Sequence, residues 1–153
     1  MTEPIFDQIT VIGIGLIGSS IALAARETSA ARKISLFDRD ADVRKRASAL
    51  GLGEVCDTVE AACEGADCVI LCVPVGAIGE TTKQLAPALK AGAILTDVGS
   101  VKEAVLGEMQ AHCPANVFLI PGHPIAGTEK SGPEAGFASL FQKAWHILTP
   151  LPQ

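Results

Sequence analysis

The stretch "VIGIGLIGSSIALAA", residues 11–25, decides how this chain is read. Gly13, Gly15 and Gly18 match G-x-G-x-x-G, a pattern that alone says little because glycine-rich turns are common. Its context is informative: the apolar run "ITVIG" (9–13) precedes it and the helix-like run "LIGSSIALAAR" (16–26) follows. Strand, glycine turn and helix together bring free backbone N–H groups and a partial positive charge to a phosphate. Gly13 permits the tight turn, Gly15 lets a pyrophosphate approach the backbone, and Gly18 lets the helix pack closely on the strand. Gly13, Ile14, Gly15, Leu16, Ile17 and Gly18 are therefore the candidate dinucleotide cradle. The same stretch is as apolar as a signal-peptide core. Residues 1–10, "MTEPIFDQIT", nevertheless carry two acids and no Lys or Arg, and the run is too short and glycine-broken to span a bilayer. The expectation is a cytoplasmic protein with no targeting signal and no membrane contact.

Outward from this stretch, apolar runs alternate with helix-like ones. "KISLFD" (33–38) leads into "ADVRKRASAL" (41–50), and a weak run lies near "GEVC" (53–56). "CVILCVP" leads into "AIGETTKQLAPALK" (77–90), and "AILTDV" (93–98) into "VKEAVLGEMQAH" (101–112). "VFLIP" (117–121) and "AWHILTP" (144–150) are the last strand-like runs. Runs of five to seven residues, apolar nearly throughout, are the mark of parallel strands buried on both faces. The predicted fold class is α/β, a doubly wound, mainly parallel sheet of the dinucleotide-binding (Rossmann-like) kind. Residues 1–150 are expected to form this domain. The proline-rich tail "TPLPQ" makes residues 151–153 the expected start of a linker to a further domain.

Composition narrows the function. The chain has 153 residues, 48% hydrophobic and 19% charged, enough for one globular core. A net charge of −5, with no basic block and few aromatics, excludes a nucleic-acid surface. The five cysteines form no C-x-x-C pair, which suits a reducing compartment, and three dispersed histidines have no metal-ligand spacing.

In a parallel sheet every strand ends on the same edge, and ligands bind there. The glycine turn, Asp38, Val73 with Pro74, and Gly99 with Ser100 all follow strands directly, and His123 follows the fifth. Asp38 closes the second strand twenty residues beyond Gly18, where a carboxylate accepts hydrogen bonds from adenosine ribose hydroxyls. A 2′-phosphate beside it would be repelled by roughly 4 kcal/mol per unit charge at ~4 Å and an effective dielectric near 20. Asp38 therefore favours NAD over NADP, although the adjacent Arg39 can soften the repulsion. Ser100 reads as an N-cap that also reaches the site. Lys102, in the first turn of the same helix, is either solvated or facing an anion. An imidazole titrates near neutral pH and suits the proton acceptor of an alcohol oxidation, a role worth 10²–10⁴ in rate. His123 is the candidate for it; His112 and His146 read as structural.

"VIGIGLIGSSIALAAR", "DCVILCVPV", "TDVGSVK" and above all "GHPIAGTEKSG" (122–132) resemble the prephenate/arogenate dehydrogenase family of tyrosine biosynthesis, in order and over essentially the whole chain. The resemblance implies oxidative decarboxylation of prephenate, arogenate or both, with hydride transfer to NAD(P)+. It implies that His123 draws the proton from the substrate's ring hydroxyl and that Ser100 orients His123 and touches substrate and nicotinamide. It places Thr128 and Glu129 near the substrate, although Glu129 and Lys130 also read as a solvated pair. It further implies a helical second domain and homodimerisation; because prephenate's two carboxylates call for cationic forks, an arginine supplied from that second domain is expected from this chain's own arginine positions. All five arginines here lie at or before Arg46. The rival readings are another NAD(P)-dependent dehydrogenase of related fold and a non-catalytic NAD-binding regulatory module.

Overall fold

The computed structural model describes residues 3–151. Six strands form one parallel sheet in the order β3-β2-β1-β4-β5-β6. They are β1 (Phe6–Ile12), β2 (Ala31–Phe37), β3 (Glu54–Val55), β4 (Cys68–Leu71), β5 (Ile94–Asp97) and β6 (Phe118–Leu119). The expected doubly wound α/β architecture is what forms. β1 is central and its last five residues are buried, as a strand covered on both faces must be. It pairs with β2 on one side (Val11 opposite Leu36) and β4 on the other (Val11 opposite Ile70). Chain direction across the sheet reverses between β1 and β4, and the crevice opens at that switch point.

Helices α1 (Leu16–Glu27), α2 (Ala41–Ala49), α3 (Val59–Cys63), α4 (Ile78–Leu85) and α5 (Lys102–Gln110) cover the two faces. α1 turns its small residues Gly18, Ser19, Ala22 and Ala25 inward, so it sits close to the sheet. Asp40 caps α2 by accepting from Asp42 N at 2.9 Å, and Thr58 caps α3 by accepting from Ala61 N at 3.1 Å. α3, five residues long, is too short to show a helical period in the sequence. The core divides between the faces. Val69, Leu71, Ile78, Leu85, Leu95 and Met109 fill one, and Ile9, Val11, Ile14, Leu36 and Leu52 the other.

Two expectations are corrected at the carboxyl-terminal end. "VFLIP" contributes only Phe118 and Leu119 to the sheet, and "AWHILTP" does not join it. Instead β8 (His146–Leu148) pairs antiparallel with β7 (Gly122–Pro124), with His123 opposite Ile147 and Pro124 opposite His146. His123 thus lies within its own short strand, beyond the sheet edge. β8 is exposed along its length, which is not how a buried parallel strand sits. Between β7 and β8 the chain crosses over α1. Phe137 N donates to Ser20 Oγ at 3.1 Å, Arg46 pairs with Glu134 at 2.9 Å, and Gly136 fits where a Cβ would collide with Ser19. Of the expected linker, Leu151 is described and residues 152–153 lie outside the described residues.

Candidate functional site

A cleft of about 790 Å³ opens at the carboxyl ends of β1, β2, β4 and β5. Its floor is the glycine turn. Gly13 has φ +94°, and a Cβ there would stand 2.5 Å from the carbonyl oxygen of Cys72, so only glycine fits. Gly18 is equally obligatory, because a Cβ would run into the Gly13 carbonyl and lie 3.1 Å from Val11 Cγ1. Gly15 differs from both. It is the N-cap of α1 with no capping side chain, and a Cβ on it would meet nothing within 4 Å. Ser19 N donates to Gly15 O at 3.0 Å as the helix begins, so the N–H groups of its first turn have no intrahelical acceptors. No acidic residue lies in that first turn. Free donors, the positive end of a twelve-residue helix and open space in front of them fit a phosphate group.

Asp38 builds this cradle as well as facing it. Its carboxylate accepts from Ile14 N and from Asp40 N, both at 2.9 Å, so it fixes the turn after β1 and the entry to α2. Each oxygen keeps acceptor capacity for a ligand hydroxyl. Arg39 lines the cleft beside it. Arg44, which the sequence reading did not single out, donates to the Asp38 carbonyl at 2.8 Å and lies 5.6 Å over the Phe37 ring. Only its place six residues after Asp38 on the following helix hinted at this.

Of the sequence-predicted residues, Gly13 to Ile17, Asp38, Arg39, Val73, Pro74 and Ser100 all line the cleft. Gly18 packs behind it. Ser100 is not the cap it was expected to be: α5 begins at Lys102, its N-cap is Val101, and no side chain caps it. Instead Asp97, at the end of β5, accepts from Gly99 N at 2.8 Å and shapes the turn that presents Ser100. His123 is half-buried on β7, outside the cleft lining, and no hydrogen bond joins it to Ser100 among the described residues. Thr128 and Glu129 are exposed and also outside the lining, whereas Lys130, Ser131 and Gly132 form one wall of the cleft. Glu80 and Thr81 of α4 complete another wall; nothing in the sequence distinguished them from an ordinary amphipathic helix.

Lys102 proves to face an anion. Its ammonium contacts the fully buried Asp97 carboxylate and donates to the Gly122 carbonyl at 2.6 Å. Asp97 in turn accepts from Gly122 N at 3.1 Å. His146, opposite Pro124, reaches back toward Gly122, where a Cβ would lie 2.6 Å from its Nε2. Partial burial holds the His146 imidazole below its ordinary value, helped by His123 and Lys102 and opposed by Asp97. Burial pushes the Cys72 thiol, behind the glycine turn, far up, so it remains a neutral thiol.

Comparison with known proteins agrees with this geometry. Residues 21–153 match the family model described as "Prephenate dehydrogenase, nucleotide-binding domain". The cyclohexadienyl dehydrogenase of Zymomonas mobilis is 48% identical over 147 residues, which cover 95% of this chain and 50% of that one. The crystal structure of Synechocystis arogenate dehydrogenase superposes with a TM-score of 0.85 at 32% identity, covering 94% of this chain and 50% of that one. Prephenate dehydrogenase from Aquifex aeolicus, in complex with hydroxyphenyl propionate and NAD+, superposes with a TM-score of 0.78 at 28% identity. It covers 99% of this chain and 52% of its own. The chain spans about half the length of each of these relatives. On its sequence and its sheet alike, the chain belongs to the prephenate dehydrogenase nucleotide-binding domain family.

Proposed function

We propose that this chain is the NAD-binding half of a dehydrogenase that oxidatively decarboxylates prephenate, arogenate or both. The observation that carries the reading is a shared anchor. Asp97 shapes the Gly99–Ser100 wall of the dinucleotide cleft and also holds Gly122, next to His123. Hydride chemistry at the cleft and proton chemistry on β7 are thus built from one strand end.

The α1 N-terminus binds the pyrophosphate and Asp38 accepts from the adenosine ribose, which favours NAD+ over NADP+. Bound NAD+ supplies the hydride acceptor for the ring carbon that carries the hydroxyl. His123 takes the hydroxyl proton, Ser100 orients substrate and imidazole, and Thr128 and Glu129 border the substrate. The Aquifex relative, solved with NAD+ and hydroxyphenyl propionate, supports both ligand classes.

Two features support a contribution from further polypeptide. Prephenate carries two carboxylates, which call for cationic forks. Yet Arg44 and Arg46 are tied up on α2, and Lys102 is committed to Asp97. Trp145 at 81% exposure, with Ile147 two residues further along the same ribbon, also leaves an apolar face beside β7 open. We assign that face to the remaining half seen in the relatives and to homodimer formation, in a cytoplasmic enzyme. No helix among the described residues is long and apolar enough to cross a membrane.

The test is His123→Asn in the enzyme completed by that second half. Prephenate- or arogenate-dependent NADH formation should fall 10²–10⁴-fold with NAD+ affinity unchanged. Undiminished turnover would remove His123 from the mechanism, whereas a completed parent protein that binds NAD+ but turns over neither substrate would favour the reading as a regulatory module.

A further inference from the structure

We propose that Asp97 and Lys102 form a positioning clasp that sets His123 against the Ser100 wall of the cleft. The inference rests on the dehydrogenase reading and adds two residues to it.

The clasp joins three pieces of backbone, the end of β5, the start of α5 and β7, just beyond the point where the sheet's own ladder ends with Ile120 N donating to Leu95 O at 2.9 Å. β6 pairs with β5 through only two residues, and β7 has left the sheet altogether. β7 is three residues long, and its one strand partner is the exposed β8. Such a ribbon would not hold a side chain to a fraction of an ångström on its own. Asp97 closes the gap from the sheet side. One oxygen accepts from Gly122 N at 3.1 Å, and the other accepts from Gly99 N at 2.8 Å. Lys102 closes it from the helix side by contacting that second oxygen and donating to Gly122 O at 2.6 Å. Both polar groups of the Gly122 backbone are therefore held by one ion pair, immediately before His123. The same carboxylate holds the backbone immediately before Ser100.

Burial makes the arrangement stiff. Asp97 is wholly buried, and the Lys102 side chain is only 19% exposed, so neither charge exchanges freely with solvent. A buried pair of this kind is poor at adding stability but good at selecting one geometry, since every alternative leaves a charge unpaired. Gly122 permits the close fit: a Cβ would lie 3.2 Å from the Asp97 carbonyl and collide with His146. Neither clasp residue lines the cleft, so they act through Ser100 and His123 rather than on the ligand.

The test uses the completed enzyme, with turnover expressed per NAD+-binding site titrated calorimetrically, so that loss of folded protein does not count. Lys102→Met should lower kcat per site by about 100-fold, the effect of misplacing a catalytic group by about an ångström. NAD+ affinity should stay within about threefold of the parent, given that the glycine turn and Asp38 lie elsewhere, and KM should change by less than kcat falls. Lys102→Arg, which keeps a cation able to bridge carboxylate and carbonyl, should recover most of the loss. If Lys102→Met fails to fold, the doubly neutral Asp97→Asn/Lys102→Met variant takes its place, with the same expected fall. Wild-type kcat per site in the folded methionine variant would overturn the clasp, as would a loss confined to KM. His123→Asn run in parallel separates the two claims. Its inactivity beside an active Lys102→Met refutes the clasp alone, its full activity refutes the role of His123 on which the clasp rests, and absence of turnover in the parent refutes the dehydrogenase reading.

Discussion

Gly15→Ala should separate the two jobs of the glycine turn, because Gly15 is the one member of the motif that the fold itself does not require. Its φ of −93° is open to any residue, and a Cβ there meets nothing within 4 Å. Alanine gains about 0.4–1 kcal/mol by restricting the unfolded chain and loses a similar amount because it is a poorer N-cap than glycine. Net stability should therefore move by less than about 0.5 kcal/mol, a shift in Tm of under about 2 °C for a domain of this size. The empty space is where a pyrophosphate must reach the N–H groups of α1. A methyl group there should weaken NAD+ at least tenfold, about 1.4 kcal/mol. Gly18→Ala gives the opposite signature, since its Cβ would strike the Gly13 carbonyl, a backbone atom that cannot swing aside. Overpacking of that kind costs about 1–3 kcal/mol. Differential scanning fluorimetry reads the stability and isothermal titration reads the affinity. Unchanged NAD+ affinity in a folded Gly15→Ala protein would refute the placement of the dinucleotide on the α1 N-terminus.

Two further outcomes follow from charge and burial. Burial holds the Cys63 thiol up at about 12 and the Cys68 thiol at about 11, whereas in the unfolded chain both ionise near 8.5. A folded value raised above the unfolded one means stability that is complete below pH 8.5 and is lost as the pH climbs toward 11–12. Tm should accordingly fall between pH 9 and 11, and replacing Cys63 with Ala should flatten that fall; an equally steep slope would count against the assignment. Lys130 lines the same cleft as the glycine turn. Lys130→Glu should weaken NAD+ by about tenfold at low salt and by much less at 0.5 M NaCl, where exposed charges are screened. A salt-independent effect would mean that Lys130 acts by shape rather than by charge.

Local signals were legible in the sequence and long-range ones were not. β1, the glycine turn and α1 could be read because each depends on residues within a dozen positions. Asp38 could be read because its spacing from Gly18 is set by one helix and one strand. The fate of "AWHILTP" could not: a short apolar run looks the same whether it enters a buried sheet or pairs with an exposed ribbon, and β7 lies more than twenty residues away. Lys102 shows the same limit within the site. Its neighbours in sequence leave it either solvated or facing an anion, and the contact with Gly122, twenty residues on, settles the matter. Ser100 failed as a cap because the helix starts one residue later than expected, with the cap position falling on Val101. Lys130 to Gly132 reach the cleft through the path over α1 that Glu134, Gly136 and Phe137 secure, and no local pattern encodes it.

Calorimetric titration of the chain with NAD+ and then NADP+ decides whether the glycine turn and Asp38 form an NAD+ site. Saturable one-site binding of NAD+ is expected, with NADP+ at least tenfold weaker because of the Asp38 carboxylate. A folded chain that binds neither dinucleotide, or that prefers NADP+, would contradict it.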